Sequence, residues 1–363
     1  MRVGLFIDTF NLGGAETMVI DTASLLKSHG HEPVLLHFGS SYIQEFADAN
    51  RIENHTIPNH SLYKKTYKLP IFILRTISFI RNLKLDCLHS HLYSPIITMH
   101  FVSSLCGLRH VGTLHDIYMV EETPRRIHML SIVAFLGTRF VAVSNNMLQF
   151  YRERGRFPTN SITYIPNFVN ESVPSCSREI TRQSLELKDE IVVISVGRLV
   201  NLKRFDLLIK AAEIVNTTSN ITFYIAGDGP LRSELELQIS NSKLKGKVIL
   251  LGERTDVINL LNAADIFVLA SDTEGMSRSI LEAMASALPI IATDVGGNSD
   301  LVEPTKNGLL IPPNSSSALA TALNEIMDDS ALRIKMGEAS RNKVNRSFGK
   351  ESFLNSYLKQ YSK

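Results

Sequence analysis

The chain has 363 residues, 44% of them hydrophobic, and a formal net charge of +2. Such a length points to two domains of roughly 150–200 residues, each with its own core. A near-neutral balance supplies no electrostatic footprint for nucleic acid. The longest apolar stretches fall short of the ~20 residues that a membrane-spanning helix needs.

Three cysteines, Cys87, Cys106 and Cys176, lie far apart with no C-x-x-C pair, which reads as buried thiols in a reducing cytosol. Met1–Ile7 reads as a short strand that Asp8 ends, too early for a signal-peptide core. The expectation is a cytoplasmic protein, soluble or peripheral on a membrane.

In chain order, Val3–Asp8, Pro33–Phe38, Asp86–His89, His110–Leu114 and Phe140–Val143 read as strands. Ile191–Val196, Thr222–Ala226, Val248–Leu251, Ile266–Ala270 and Pro289–Ala292 form a second series. Many are continuous β-branched runs, as parallel strands covered on both faces require. Helical patterns such as Glu16–His29, Phe205–Val215 and Ser279–Ala287 separate them. This rhythm gives an α/β protein of two doubly wound Rossmann-like domains. The boundary falls at Asn167–Arg178, a proline-containing stretch without periodicity, giving domains at residues 1–172 and 178–349. A last amphipathic stretch, residues 350–363, carries Phe353, Leu354, Tyr357, Leu358 and Tyr361 at helical spacing and is expected to dock back on the first domain.

Glu274 and Glu282 flank the passage from the strand Ile266–Ala270 into the next helix. By themselves they are either a solvated helix face or two carboxylates at the mouth of an open sheet, where α/β proteins bind ligands. The backbone N–H groups between them belong to a helix N-terminus, which attracts phosphate. Three more strands end in polar loops. Gly197-Arg198, with Lys203 beyond it, reads as an exposed loop or as two cations for a diphosphate. Gly227-Asp228-Gly229 lacks the third glycine of a dinucleotide fingerprint, and Gly252-Glu253-Arg254 follows the next strand. No P-loop sequence occurs. Four consecutive strand ends with ligand chemistry favour a binding site over chance.

These residues, in this order, resemble the retaining glycosyltransferases of family 4, which have the GT-B fold of two Rossmann-like domains facing a cleft. The resemblance spans nearly the whole chain. It rests on Gly13-Gly14-Ala15-Glu16, Thr113-Leu114-His115-Asp116, Val196-Gly197-Arg198-Leu199 with Lys203, Ala226-Gly227-Asp228-Gly229-Pro230, Ser271 to Ala285, Gly296-Gly297 and Asn307-Gly308-Leu309. It implies that the second domain holds a nucleotide-sugar and the first an acceptor. Arg198 and Lys203 would then bind the diphosphate, aided by the N–H groups of Gly275, Met276 and Ser277. Glu274 would hold a donor-sugar hydroxyl, Glu282 the ribose, and Arg254 would border the base. Gly13 and Gly14 would let backbone approach the diphosphate, and His115 would lie near the anomeric carbon.

The resemblance implies no metal and no covalent nucleophile. His89-Ser90-His91 lacks an evident third ligand, and Asp328-Asp329 reads as part of a C-terminal helix. A UDP-sugar donor is favoured, with a GDP-sugar as the other choice. The product would be a cell-surface polysaccharide or glycolipid, made on a saccharide or lipid-linked acceptor. Ala287 stands where a helix C-terminus normally has glycine, and Ser277 and Asp300 also depart from the common pattern. Residues 61–84 mix six basic side chains with aromatic and aliphatic ones, either a peripheral contact with anionic membrane or a buried helix with solvated lysines. A second basic patch is Arg152, Arg154 and Arg156. The competing functional readings are a GT-B nucleotide-sugar epimerase and a non-catalytic nucleotide-sugar-binding protein.

Overall fold

The computed structural model describes residues 1–10, 13–121, 123–170, 174–217 and 219–362. The chain forms two compact units, Met1–Asn167 with Lys350–Lys363, and Phe168–Gly349. Of the expected boundary segment, residues 171–173 lie outside the described residues.

Among the described residues the first unit holds a seven-stranded sheet. Its strands are β1 (Arg2–Phe6), β2 (Glu32–His37), β3 (Glu53–Thr56), β4 (Cys87–His91), β5 (Arg109–Leu114), β6 (Arg139–Ala142) and β7 (Ile162–Tyr164). The order is β3-β2-β1-β4-β5-β6-β7, parallel throughout. Val3, Leu5, Phe6 and Ile7 are all fully buried, because helices cover both faces of the central strands. β3 and β7 were not anticipated. Both are edge strands, and Glu53-Asn54-His55-Thr56 carries none of the apolar signal of a central strand.

The closing helix Lys350–Ser362 packs on this unit with Phe353, Leu354, Tyr357 and Tyr361 buried. The Tyr361 hydroxyl pairs with His89 Nδ1 at 2.9 Å, and the Tyr357 and Thr113 hydroxyls meet at 2.9 Å. Arg109 donates to the Tyr361 carbonyl. The core beneath is unusually rich in histidine. His37, His89, His91, His100 and His110 are all buried. His110 pairs with the hydroxyls of Ser90 and Thr138, and His100 shares the Thr138 hydroxyl.

The second unit holds, among the described residues, a six-stranded sheet. Its strands are β8 (Ile191–Val196), β9 (Ile221–Ala226), β10 (Val248–Gly252), β11 (Ile266–Leu269), β12 (Ile290–Thr293) and β13 (Gly308–Ile311). The order is β10-β9-β8-β11-β12-β13, again parallel. Val193, Phe223, Ile225 and Val268 form its core with Leu208 and Leu323 from flanking helices. β13, not anticipated, is likewise an edge strand. Each sheet reverses direction of winding once, between β1 and β4 and between β8 and β11, and such switch points open a crevice at the carboxyl ends of the strands.

Three expectations need correction. Asp328 and Asp329 sit between the helices Ser316–Met327 and Ser330–Ser347, where the Asp329 side chain caps the second by accepting from Leu332 N–H at 2.8 Å. Of the three free cysteines only Cys87 is buried; Cys106, ending the helix Tyr93–Cys106, and Cys176, in the loop before the helix Arg178–Ser184, are half-buried. The stretch 61–84 is not one buried helix. It divides into His60–Tyr63, a 3-10 turn Thr66–Lys68 and Leu69–Asn82, and in the last helix Phe72, Thr76 and Ile80 are fully buried while Ile73, Ile77 and Phe79 pack partly buried against the core. Among the described residues no helix is long and apolar enough to cross a membrane.

Ala287 has φ 57°, the left-handed conformation expected of it. It follows the helix Arg278–Ala285, and the chain closes with Leu288 N–H to Ala283 O and Ala287 N–H to Met284 O, both 3.0 Å. This is a Schellman ending, in which glycine is the favoured residue. Ala287→Gly is therefore expected to stabilise the chain by about 1 kcal/mol, read as a higher urea midpoint.

Burial holds His89, His91 and His110 neutral, the first two well below the ordinary imidazole value and the third lowered to about 3. The unfolded chain takes up these protons near pH 6.5, the folded chain only well below that. Stability present above pH ~6.5 is thus lost as pH falls toward the folded values. The second unit has no histidine. In scanning calorimetry of the full chain, the first transition should move to lower temperature between about pH 7 and pH 5, above the carboxylate range. A transition temperature that held constant across that interval would contradict buried neutral imidazoles.

Candidate active site

The second unit's switch point is built by the loops after β8 and β11. Ser195 Oγ donates to Val268 O at 2.7 Å and ties the two strands together near their ends. After β8 the chain turns through Gly197-Arg198 to the 3-10 turn Asn201–Lys203. Lys203 Nζ donates to Glu274 Oε1 at 2.5 Å, and Ser271 Oγ donates to the same oxygen at 2.7 Å. The Glu274 side chain is 9% exposed and that of Lys203 24%. The backbone of Glu274 is held as firmly. Gly297 N–H donates to its carbonyl, and Gly296, at φ 52°, approaches so closely that a Cβ would lie 1.6 Å from that oxygen. Only glycine fits there.

Gly227 and Gly229 are explained differently from the expectation. A Cβ on Gly227 would fall 2.0 Å from Gly197 O, and one on Gly229 2.5 Å from Leu199 O. Leu199 N–H donates to Asp228 O, and Leu231 N–H to Leu199 O. These glycines allow the loops after β8 and β9 to pack backbone on backbone, which supports the Arg198 segment from below.

Arg198 is exposed, and among the described residues its side chain forms no ion pair. Lys203, by contrast, is engaged by Glu274. Gly275, Met276 and Ser277 are buried at the start of the helix Arg278–Ala285, where Ser277 Oγ accepts from Ile280 N–H at 3.3 Å. Ser277 is thus a helix cap, whatever else it contacts. Glu282 is paired with Arg278 across one helical turn, Nε to Oε1 2.8 Å, a partner the sequence reading did not assign. Arg254 forks onto Asp256 at 2.8 and 2.7 Å in the loop after β10. The sequence reading also missed Arg204, at φ 49°, which pairs with Asp206 and Asp272 and so orders the loop before Glu274. Its signal was the basic pair Lys203-Arg204, of which only the first was used.

In the first unit, His115 follows β5. His91, the last residue of β4, places Nδ1 2.9 Å from His115 Nε2. Burial lowers the pKa of His115 to about 4, so the ring is neutral at physiological pH. Gly13 caps the helix Gly14–Ser28 in an extended conformation, and a Cβ there would lie 2.8 Å from the buried Glu16 carboxylate; Gly14 has open space around it. Asp8, just past β1, accepts from Tyr63 at 2.7 Å, and burial raises its pKa. Sequence reasoning had used Asp8 only as a strand terminator. Among the described residues no group of three or more His, Cys, Asp or Glu side chains is placed to hold a metal ion.

Two doubly wound units, each with polar residues gathered where its sheet reverses, define an α/β enzyme architecture of the nucleotide-binding kind. Comparison with known proteins gives the family. The pattern of the "Glycosyl transferases group 1" family matches residues 177–343, and that of "Glycosyltransferase Family 4" matches residues 12–173. The UDP-Gal:alpha-D-GlcNAc-diphosphoundecaprenol alpha-1,3-galactosyltransferase of Escherichia coli is 30% identical over 291 residues, covering 76% of this chain and 75% of that one. The N-acetyl-alpha-D-glucosaminyl L-malate synthase of Bacillus anthracis is 25% identical, covering 96% and 93%. Among solved structures, Anabaena HepE in complex with UDP superposes with a TM-score of 0.87 at 21% identity, covering 99% of both chains. The chain belongs to the group 1 glycosyltransferases, glycosyltransferase family 4. Its fold is GT-B, and it is a glycosyltransferase.

Proposed function

We propose that the chain transfers a hexosyl or N-acetylhexosaminyl group from a UDP-sugar to a saccharide or lipid-linked acceptor, with retention of configuration and without a metal. The observation that carries this reading is the β8–β11 switch point, where Lys203, Glu274 and a capped helix start are held together beside the exposed Arg198. As a glycosidic bond to diphosphate breaks, negative charge grows on the leaving oxygens. Fixed cations and amide dipoles stabilise that charge without reorganising. Arg198 is the cation with charge to give, and Lys203 adds its remaining N–H bonds. The amides of Gly275, Met276 and Ser277 extend the same field.

Glu274 serves as a hydroxyl acceptor for the donor sugar rather than as a nucleophile. One of its oxygens already takes two hydrogen bonds, from Lys203 and Ser271, which lowers its electron density. With no nucleophile, the acceptor attacks on the face the leaving group departs from, and the departing phosphate takes its proton. Glu282, steadied by Arg278, is suited to ribose hydroxyls, and Arg254 to the edge of the base. His115 contacts the donor sugar from the first unit, and Gly13 and Gly14 leave backbone open to the diphosphate. UDP is favoured over GDP because the E. coli relative is named for UDP-Gal and HepE was crystallised with UDP.

A lipid-linked acceptor and a peripheral site on the cytoplasmic face of a membrane fit the outer surface of the first unit. Tyr67, Ile71 and Leu74 are 73%, 47% and 66% exposed, amid Lys64, Lys65, Lys68 and Arg75. Exposed apolar side chains in a basic setting suit an anionic lipid surface. A groove of about 680 Å³ adds Ile127, Ile132, Phe135 and Leu136 beside Arg154 and Arg156, a lining suited to an amphiphile with a phosphate. The product would then be a surface polysaccharide or glycolipid.

Arg198→Ala and Glu274→Ala should each cut transfer from UDP-sugars by about two orders of magnitude, measured as UDP release dependent on acceptor. Near-normal rates in both variants would remove the site assignment; UDP-sugar conversion with no transfer product would favour an epimerase. Flotation with anionic vesicles at low salt should carry the chain upward, and less so after Tyr67→Ser with Leu74→Ser. A wild-type chain left at the bottom of the gradient would end the membrane reading.

A further inference from the structure

His91 and His115 meet edge to edge. Their rings are inclined by only 23° with centroids 5.2 Å apart, and His91 Nδ1 lies 2.9 Å from His115 Nε2. Two neutral imidazoles joined in this way share a single proton at the contact. Whichever nitrogen donates, the choice also fixes the free nitrogen of each ring.

The far side of His91 makes that choice. Its Nε2 is buried and has no hydrogen-bond partner among the described residues, in a side chain 2% exposed overall. His89 lies against the ring with centroids 4.1 Å apart, and its own nitrogens are taken by Tyr361 and Thr113. If His115 donated to His91, the His91 proton would have to sit on Nε2. A buried N–H would then be orphaned, the rarer and costlier arrangement. If His91 donates from Nδ1, only a lone pair is left without a partner.

We infer that His91 is a positioning residue that donates Nδ1–H to His115 Nε2 and so fixes the His115 proton on Nδ1, the nitrogen left for a ligand. This rests on the reading of His115 as a donor-sugar contact. His115 Nδ1 has no protein partner among the described residues. In this tautomer it offers the ligand an N–H and no lone pair. It recognises an oxygen that accepts, such as a sugar hydroxyl oxygen or one gaining negative charge, and it does not take the acceptor's proton. Burial, which keeps both rings neutral, maintains the arrangement. The specificity this gives is for a donor sugar that places an oxygen there, against a deoxy analogue that leaves the N–H unmatched.

The test is a two-bond ¹H–¹⁵N correlation spectrum of the full-length chain labelled at histidine nitrogen, near neutral pH, with His115 assigned by its loss in His115→Asn. The expected pattern for His115 is a neutral ring protonated at Nδ1; an Nε2-protonated or doubly protonated pattern overturns the inference. His91→Asn keeps an amide donor near the Nδ1 position and should preserve both the pattern and most of the activity. His91→Leu should lose the pattern and lower kcat/KM by about tenfold to a hundredfold, the scale seen when the hydrogen-bond partner that orients a metal-ligating histidine is removed. A leucine variant with unchanged pattern and rate overturns the inference, and should that variant misfold, the wild-type spectrum decides alone. The two readings separate cleanly. Normal transfer by His115→Asn with an Nδ1 pattern in the wild type removes the sugar contact and supports the tautomer, whereas an Nε2 pattern with transfer lost in His115→Asn does the reverse.

Discussion

The ammonium of Lys203 against the carboxylate of Glu274 is the contact on which the second unit's strand ends depend. A carboxylate so little exposed is costly to bury unless charge and hydrogen bonds compensate it. Lys203 and Ser271 supply both, and they come from the loop after β8 and the loop after β11. Gly296, from the loop after β12, closes on the backbone of Glu274 where no other residue fits. Three loops are therefore locked to one residue. Breaking the ion pair from either side would strand the other charge and loosen all three, while replacing Gly296 would push the carboxylate out of line with its charge intact. The same lock leaves Arg198 as the exposed cation of the group, which is why a single side chain carries so much of the proposed leaving-group chemistry.

Central strands were legible in the sequence because burial on both faces writes a continuous apolar run, as in Ile191–Val196 and Ile266–Leu269. Of the four edge strands only β10, whose run Val248–Leu251 is apolar, was legible. β3, β7 and β13 each border a sheet, and an edge needs neither length nor apolar density to pair. The site divides in a similar way. Arg198, Lys203, Glu274 and His115 stand out because their residue types sit at strand ends. Their partners do not stand out. Arg278 beneath Glu282 looks like any helical arginine, and Arg204 is overshadowed by its neighbour. His91 reads as half of an unconvincing metal pair until its contact with His115 is seen. Gly227 and Gly229 were visible as glycines but not in their purpose, since sequence cannot tell a backbone that makes room for a ligand from one that makes room for another loop.

The two units solve the same architectural problem with different chemistry. The second compensates its buried charge by ion pairs at strand ends. The first threads neutral imidazoles and hydroxyls through its sheet, from Tyr361 and His89 to Thr113 and Tyr357, and from Ser90 and His110 to Thr138 and His100. Such a network specifies one packing, because each ring has two directional nitrogens to satisfy, and it holds only while the rings are uncharged. His115 inherits its neutrality from this setting, so the residue facing ligand and the core behind it share one electrostatic condition.

The helix Lys350–Ser362 joins its aromatic side to a sheet made from the opposite end of the polypeptide, with Tyr361 bonded to His89 across 272 positions of chain. During synthesis, β1 to β7 emerge early, yet their hydroxyl and aromatic partners emerge only after the whole second sheet has been made. The N-terminal half must wait, with His89 and Thr113 uncapped, while the whole of the later half is made and can fold. Completion of the first unit thus waits on the second, and a chain interrupted at Gly349 would keep the second sheet while denying the first its closing piece.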